Sequence, residues 1–187
     1  MTGVQTYALP IWSEWRYEDT GTDLFTVWRT VNYDDSQWES GLAELGYGDG
    51  DEATTVDFGG QVFDRHPTTY FRRTFTVTDA ASIVGSTCWI HRDDGAVVFL
   101  NGTQIGIDNI QANPGYETLA GNAGDDGNAE IELPPVDPAL FVEGNNTLAV
   151  EIHQNTASSS DISFDLRLDV SLPEVSGLLA NDTDPDG

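Results

Sequence analysis

The sequence predicts an all-β chain folded as a jelly-roll β-sandwich. Three observations carry that expectation. Short runs alternate apolar and polar residues, clusters of Gly, Asn, Asp and Pro separate those runs, and no helical period lasts beyond about two turns.

The runs can be taken in chain order. Residues 33–47, YDDSQWESGLAELGY, set Trp38 and Leu42 behind an Asp-Asp-Ser start. They read as a strand-poor loop with one helical turn over an end of the sandwich, with Trp38 as its plug. Residues 70–77 form a strand, with Phe71, Phe75 and Val77 on one face and Arg72, Thr74 and Thr76 on the other. In the next apolar run Cys88 reads as a small buried hydrophobe, and Trp89 is expected inside as well. Residues 96–106 make a hairpin, because Asn101-Gly102 suits a type I′ turn with φ > 0 at both centres. Leu148, Val150 and Ile152 alternate, as do Ile162, Phe164, Leu166, Leu168 and Val170. Residues 46–51 and 121–128 are turns.

A chain of 187 residues with 39% hydrophobic content and five Trp can build one core. It carries 32 acidic side chains against seven Arg and no Lys, a formal charge of −25. Such a field repels polyphosphates and anionic lipid, which argues against nucleic acid and membrane insertion. High salt or millimolar extracellular calcium makes it tolerable, so a secreted or cell-surface location is expected. One cysteine excludes an internal disulfide.

Four phrases come in a specific order: YDDSQWESGLAELGYGDGDE, TTYFRRTFTV, RDDGAVVFLNGTQIG and NTLAVEIHQNTASSSDISFDLRL. Together they resemble a galactose-binding-like jelly-roll module of large secreted bacterial proteins, covering about residues 12–172. Residues 2–11 resemble a translated sequencing adapter, and residues 1–11 are set aside on that ground. Residues 173–187 resemble a linker and the truncated opening of a cadherin-like repeat. There Asp182, Asp184, Asp186 and Gly187 form the first half of a calcium loop. The resemblance implies a module joined to neighbouring domains of one parent chain.

Two groups of polar residues are candidates for ligand binding. His153, Gln154 and Asn155 end one strand and Ser158–Ser160 with Asp161 begin the next, so a hairpin would gather them at a rim able to bind sugar hydroxyls. The competing reading is a self-satisfied network in which Asp161 holds His153. Asp94, in Arg92-Asp93-Asp94-Gly95, is a further candidate, either a ligand residue or a structural turn. Adjacent strand residues point opposite ways, so at most one of Asp93 and Asp94 is expected to face a given ligand.

Two acidic loops, Asp49-Gly50-Asp51-Glu52 and Asp125-Asp126-Gly127-Asn128, offer oxygen ligands for a structural calcium ion. The sequence has no G-x-S-x-G elbow, no H-E-x-x-H helix and no histidine pair at metal-ligand spacing, so an independent catalytic site is not expected. Three functions follow in order of preference. The first is a non-catalytic module anchoring a larger protein to polysaccharide or glycan. The second is a calcium-stiffened adhesion spacer. The third is an accessory domain of a truncated secreted hydrolase.

Overall fold

Period-two alternation in the sequence becomes two six-stranded sheets in the computed structural model, which describes residues 6–125 and 127–173. In chain order the strands are β1 (Thr6–Leu9), β2 (Glu14–Glu18), β3 (Glu39–Leu42), β4 (Leu45–Tyr47), β5 (Thr54–Thr55) and β6 (Thr68–Val77). They continue as β7 (Gly85–Asp93), β8 (Gly95–Leu100), β9 (Thr103–Asp108), β10 (Ile131–Glu132), β11 (Gly144–His153) and β12 (Ile162–Ser171). The first sheet runs β10-β7-β12-β4-β5, with β1 also paired to β12; the second runs β3-β2-β6-β11-β8-β9. The long strands change sheets as the chain proceeds, β6, β8 and β11 lying in the second and β7 and β12 in the first, which makes the molecule a β-sandwich.

The main core fills the space between the sheets. Phe164 on β12 stacks on Phe71 at 4.3 Å between ring centroids and meets Trp15 edge-on at 4.9 Å. Leu148, Val150 and Ile152 of β11 face Leu166, Leu168 and Val170 of β12 within that core, and Cys88 is buried beside them. Burial pushes the Cys88 thiol up to about 12, so it stays protonated and inert. At the β8–β9 hairpin both Asn101 (φ 52) and Gly102 (φ 86) are left-handed, as the expected turn requires.

A second apolar cluster sits on the outer face of the second sheet. Tyr70, Val97, Phe99 and Ala149 point outward and are covered by Trp28 and Trp38. Trp28 is fully buried, 4.7 Å from the Tyr70 ring. Trp38 is thus buried as expected, but in this outer cluster and not over an end of the main core. The expected helical turn in residues 33–47 is replaced by β3 and β4, and the short helical turn lies earlier, at Val27–Arg29.

Trp89 is likewise corrected. On β7, Cys88 and Ile90 face the core, so Trp89 must face out, where the Arg167 guanidinium lies 3.9 Å from its ring centroid. Within the adapter-like segment, Thr6–Leu9 pairs antiparallel with Leu168–Ser171, contacts made by backbone groups that any sequence possesses. Residues 174–187, with Asp182, Asp184 and Asp186, lie outside the described residues, as does Asp126.

Candidate functional site: an outer-face cleft and an acidic end

The expected rim is only partly assembled. His153 is fully buried, because β11 runs through it and residues 116–118 cover it. The Thr68 hydroxyl donates to the Tyr116 carbonyl at 2.6 Å. With that hydrogen spent, His153 Nδ1 must be the donor to Thr68 Oγ1 at 3.0 Å and to the Thr118 carbonyl at 2.9 Å. Its Nε2 lies 3.7 Å from Glu151 Oε1. Thr68, His153 and Glu151 have the composition of a hydrolytic triad, but all three are buried and the hydroxyl hydrogen is spent on a carbonyl. Asp161 is not a partner of His153, contrary to the competing reading.

Gln154 is also buried, its Nε2 donating to the Tyr47 hydroxyl and the His66 carbonyl, each at 2.7 Å. Both residues therefore serve the fold and leave the rim. Asn155, Ser160 and Asp161 stay at the mouth of a cleft of about 480 Å³, which Asp93 and Asp94 also line. No aromatic residue lines this cleft.

Asp93 and Asp94 both reach that cleft, against the alternation rule. β7 ends at Asp93 in one sheet and β8 begins at Gly95 in the other, so Asp94 sits at a crossing and not within a strand. Asp94 Oδ1 accepts from Ala123 N and Asn155 Nδ2, and Oδ2 from Asn155 N and Ser159 Oγ. Asp94 thus has a structural role, but not as a local turn: its donors lie 29 to 65 residues away, in the loops that meet at the crossing.

The two acidic loops meet at a neighbouring cleft lined by Glu44, Asp49, Asp51, His91, Asn128 and Ser163. Ligand oxygens of Asp49, Asp51 and Glu52 lie within 4.8 Å of one another. The Glu52 carboxylate accepts from Asp49 N at 2.9 Å and Gly50 N at 3.0 Å, which fixes the loop. Asp125 pairs with Arg92 at 3.0 Å, so its charge is already balanced.

Sequence reasoning missed a third place. On the outer face of the second sheet, above β8 and β11, lies a cleft of about 370 Å³ lined by Phe25, Arg29, Tyr70, Phe99, Tyr116 and Glu151, among others. Glu151 is buried and accepts from Arg29 Nη2 at 3.2 and 3.4 Å, while the guanidinium lies 4.1 Å from the Phe99 centroid. Phe25 is 75% exposed and left-handed (φ 54), its N–H held by Asp23 Oδ1 at 2.8 Å. The one available signal was Glu151, a carboxylate inside an alternating apolar run; its partner lies 122 residues away.

Burial raises the carboxyls of Asp19, Glu44, Asp93 and Asp165 above their ordinary range. Asp93 is pushed up to about 8, by burial first and then by Asp94 and Asp161. A folded state that holds protons more tightly than the unfolded chain loses stability as pH rises from about 4 towards the raised values. Asp34, lowered by hydrogen bonds from Ser36, is exposed and weighs little against this. In chelating buffer the Tm is expected to be lower at pH 8 than at pH 5; a Tm that rises over that range would show that other charges dominate.

No protein-family profile matches the chain, and no curated protein matches its sequence. Its fold is similar to that of solved glycosidases. A Bacteroides uniformis beta-glucuronidase aligns at TM-score 0.57 and 15% identity, over 90% of this chain and 18% of its own. An uncultured Clostridium beta-glucuronidase aligns at TM-score 0.53 and 14% identity, over 90% and 29%. A glycosyl hydrolase family 2 member of Bacteroides cellulosilyticus aligns at TM-score 0.56 and 13% identity, over 88% and 20%. The fold thus defines a β-sandwich of a class also found inside much longer glycosidase chains. This chain spans about a fifth of the first of these and less than a third of any of the three.

Proposed function

We propose that residues 12–172 form a non-catalytic accessory domain of a larger secreted carbohydrate-active protein, and that the domain binds a neutral polysaccharide in the outer-face cleft. The observation that carries this reading is Phe25. A bulky residue in the left-handed region costs about 1–3 kcal/mol, and such residues concentrate where function needs them. Phe25 bears that cost while displaying its ring to solvent beside Tyr116 and the Arg29–Glu151 pair. An aromatic face with a few fixed polar groups is what an orienting small-ligand site requires. Arg29 and Glu151 neutralise each other, and the net charge of −25 disfavours polyanionic glycans. The likeness to part of long glycosidase chains supports the accessory role. The acidic rim, without an aromatic residue, offers no comparable platform.

A polysaccharide array tests this with the wild type, Phe25→Ala and Asp161→Ala. The wild type is expected to bind a neutral glycan, Phe25→Ala to weaken it at least about tenfold, on the order of the contribution of one aromatic contact, and Asp161→Ala to bind normally. A blank array, or Phe25→Ala binding like the wild type, overturns the reading. A second reading, a calcium-stiffened spacer, is favoured by the clustered oxygens of Asp49, Asp51 and Glu52. It is supported by the calcium binding mutant of Bacteroides uniformis beta-glucuronidase 2 among similar structures, at TM-score 0.56 and 15% identity.

A further inference from the structure

We infer that the cleft where β2 parts from β6 binds a small organic acid, whose single carboxylate is held by Arg73. The site goes beyond the polysaccharide reading, does not involve Phe25, and stands if that reading fails.

The cleft follows from strand register. β2 pairs with β6 only over Arg16–Glu18, opposite Tyr70–Arg72. Beyond Arg16, β2 stays with β3 through Glu14 and Leu42 while β6 runs on along β11, so the two strands separate. The gap is a cleft of about 310 Å³ lined by Glu14, Trp15, Arg16, Asp35, Arg72 and Arg73, among others. Three of the seven arginines thus meet at one place in a molecule of net charge −25. Each of the three clefts described above is lined by more carboxylates than arginines.

Arg16 and Arg72 stand directly opposite each other across the two strands, where like charges repel. Asp35 relieves them, with Oδ1 3.5 Å from Arg16 Nε and Oδ2 2.8 Å from Arg72 Nε. The Glu14 carboxylate accepts from Ser40 Oγ at 3.0 Å. Arg73 is left over. Its Nη1 donates to the Glu14 carbonyl at 2.8 Å, and among the described residues no carboxylate forms an ion pair with it. It is nonetheless half-buried, and burial pulls its guanidinium below the usual range against the opposing influence of Glu14 and Asp165. A desolvated charge of this kind calls for a counter-charge. The unspent edge of Arg73, Nε with Nη2, is the fork that matches a planar carboxylate through two parallel hydrogen bonds. Trp15, on the same lining, adds an indole N–H buried without an acceptor among the described residues. Three guanidinium groups here face two carboxylates, and the field of the whole chain repels polyanions, so the fitting ligand carries one negative charge. The volume lies at the small end for ligand clefts and admits one small molecule.

The test is titration of the full chain with sodium galacturonate, sodium lactate and sodium phosphate, following the arginine Nε–H resonances by NMR. A carboxylate is expected to saturate a single site and shift the Arg73 resonance, which Arg73→Lys identifies by its loss. Arg73→Gln should weaken binding at least about tenfold, as removal of a charge-assisted hydrogen bond does. Arg73→Lys keeps the charge without the fork and should fall between the two. Phe25→Ala should bind as the wild type does, which separates this site from the outer-face cleft. Galacturonate binding more tightly than lactate identifies the ligand as an acidic sugar, and equal binding identifies it as an acid recognised by its carboxylate alone. Carboxylate binding unchanged in Arg73→Gln overturns the site. Should that variant not fold, an Arg73 resonance that stays unmoved at saturation overturns it equally. A wild type that binds neither acid overturns it too, and tighter binding of phosphate overturns the choice of carboxylate.

Discussion

Arg72→Met is expected to destabilise the protein by about 3–5 kcal/mol, the range for removing one partner of a buried ion pair, and to free the segment that covers the second sheet. Arg72 sits on β6 with its side chain only 1% exposed. Its Nε donates to Asp35 Oδ2 at 2.8 Å, and its Nη1 reaches the carbonyls of Trp28 and Thr30. One guanidinium thus ties together both ends of the covering segment, and the Tyr33 ring lies 5.2 Å from it. Methionine keeps the bulk, so little cavity opens. What is lost is the partner of three acceptors, two of them backbone carbonyls that no water readily reaches. A Tm lower by about 10 °C is expected for a chain of this size, with new proteolytic cleavage between residues 19 and 38. Because Phe25 and Arg29 ride on this segment, polysaccharide binding should fall with it, whereas Phe25→Ala should spare the fold. Arg72→Met melting with the wild type would mean that Trp28 packing alone anchors the segment.

The same residue shows why part of the fold was legible in the sequence and part was not. Between the sheets a strict period of two sorts Phe71, Val77, Leu148, Val150 and Ile152 to one side, and that sorting survives intact. On the other face, Tyr70, Arg72, Glu151 and His153 read as the solvated side of the same strands. They are buried because Trp28 and Trp38 fold over them, a contact between segments distant in sequence that no local pattern encodes. His153 and Gln154 were expected at a rim for that reason: the end of β11 was legible, its cover was not. At Asp93-Asp94 the failure was different. Alternation holds within a strand, and the chain changes sheets between these two residues. The carboxylates were visible as residue types, and their convergence was a property of the crossing.

That crossing gives two neighbouring aspartates opposite roles, and Asp94→Asn makes the difference measurable. It is expected to cost about 1–3 kcal/mol, from one buried backbone donor left without an acceptor whichever way the amide turns, although the amide has the shape of the carboxylate. Each Asp94 oxygen accepts two donors: Ala123 N and Asn155 Nδ2 on one, Asn155 N and Ser159 Oγ on the other. An asparagine has a single oxygen, so whichever way it turns, its NH₂ meets an N–H. The Ser159 hydroxyl can rotate and accept, but neither Ala123 N nor Asn155 N can. The loss therefore falls on the ties between the β7–β8 crossing, the 121–125 loop and the start of the 155–161 loop. In urea the midpoint should drop with an unchanged slope, since the native surface is preserved. Asp93→Asn, one residue earlier, removes a buried charge that sits beside Asp94 and Asp161 and should hold or raise stability. If Asp94→Asn matches the wild type, the three loops are joined by other contacts.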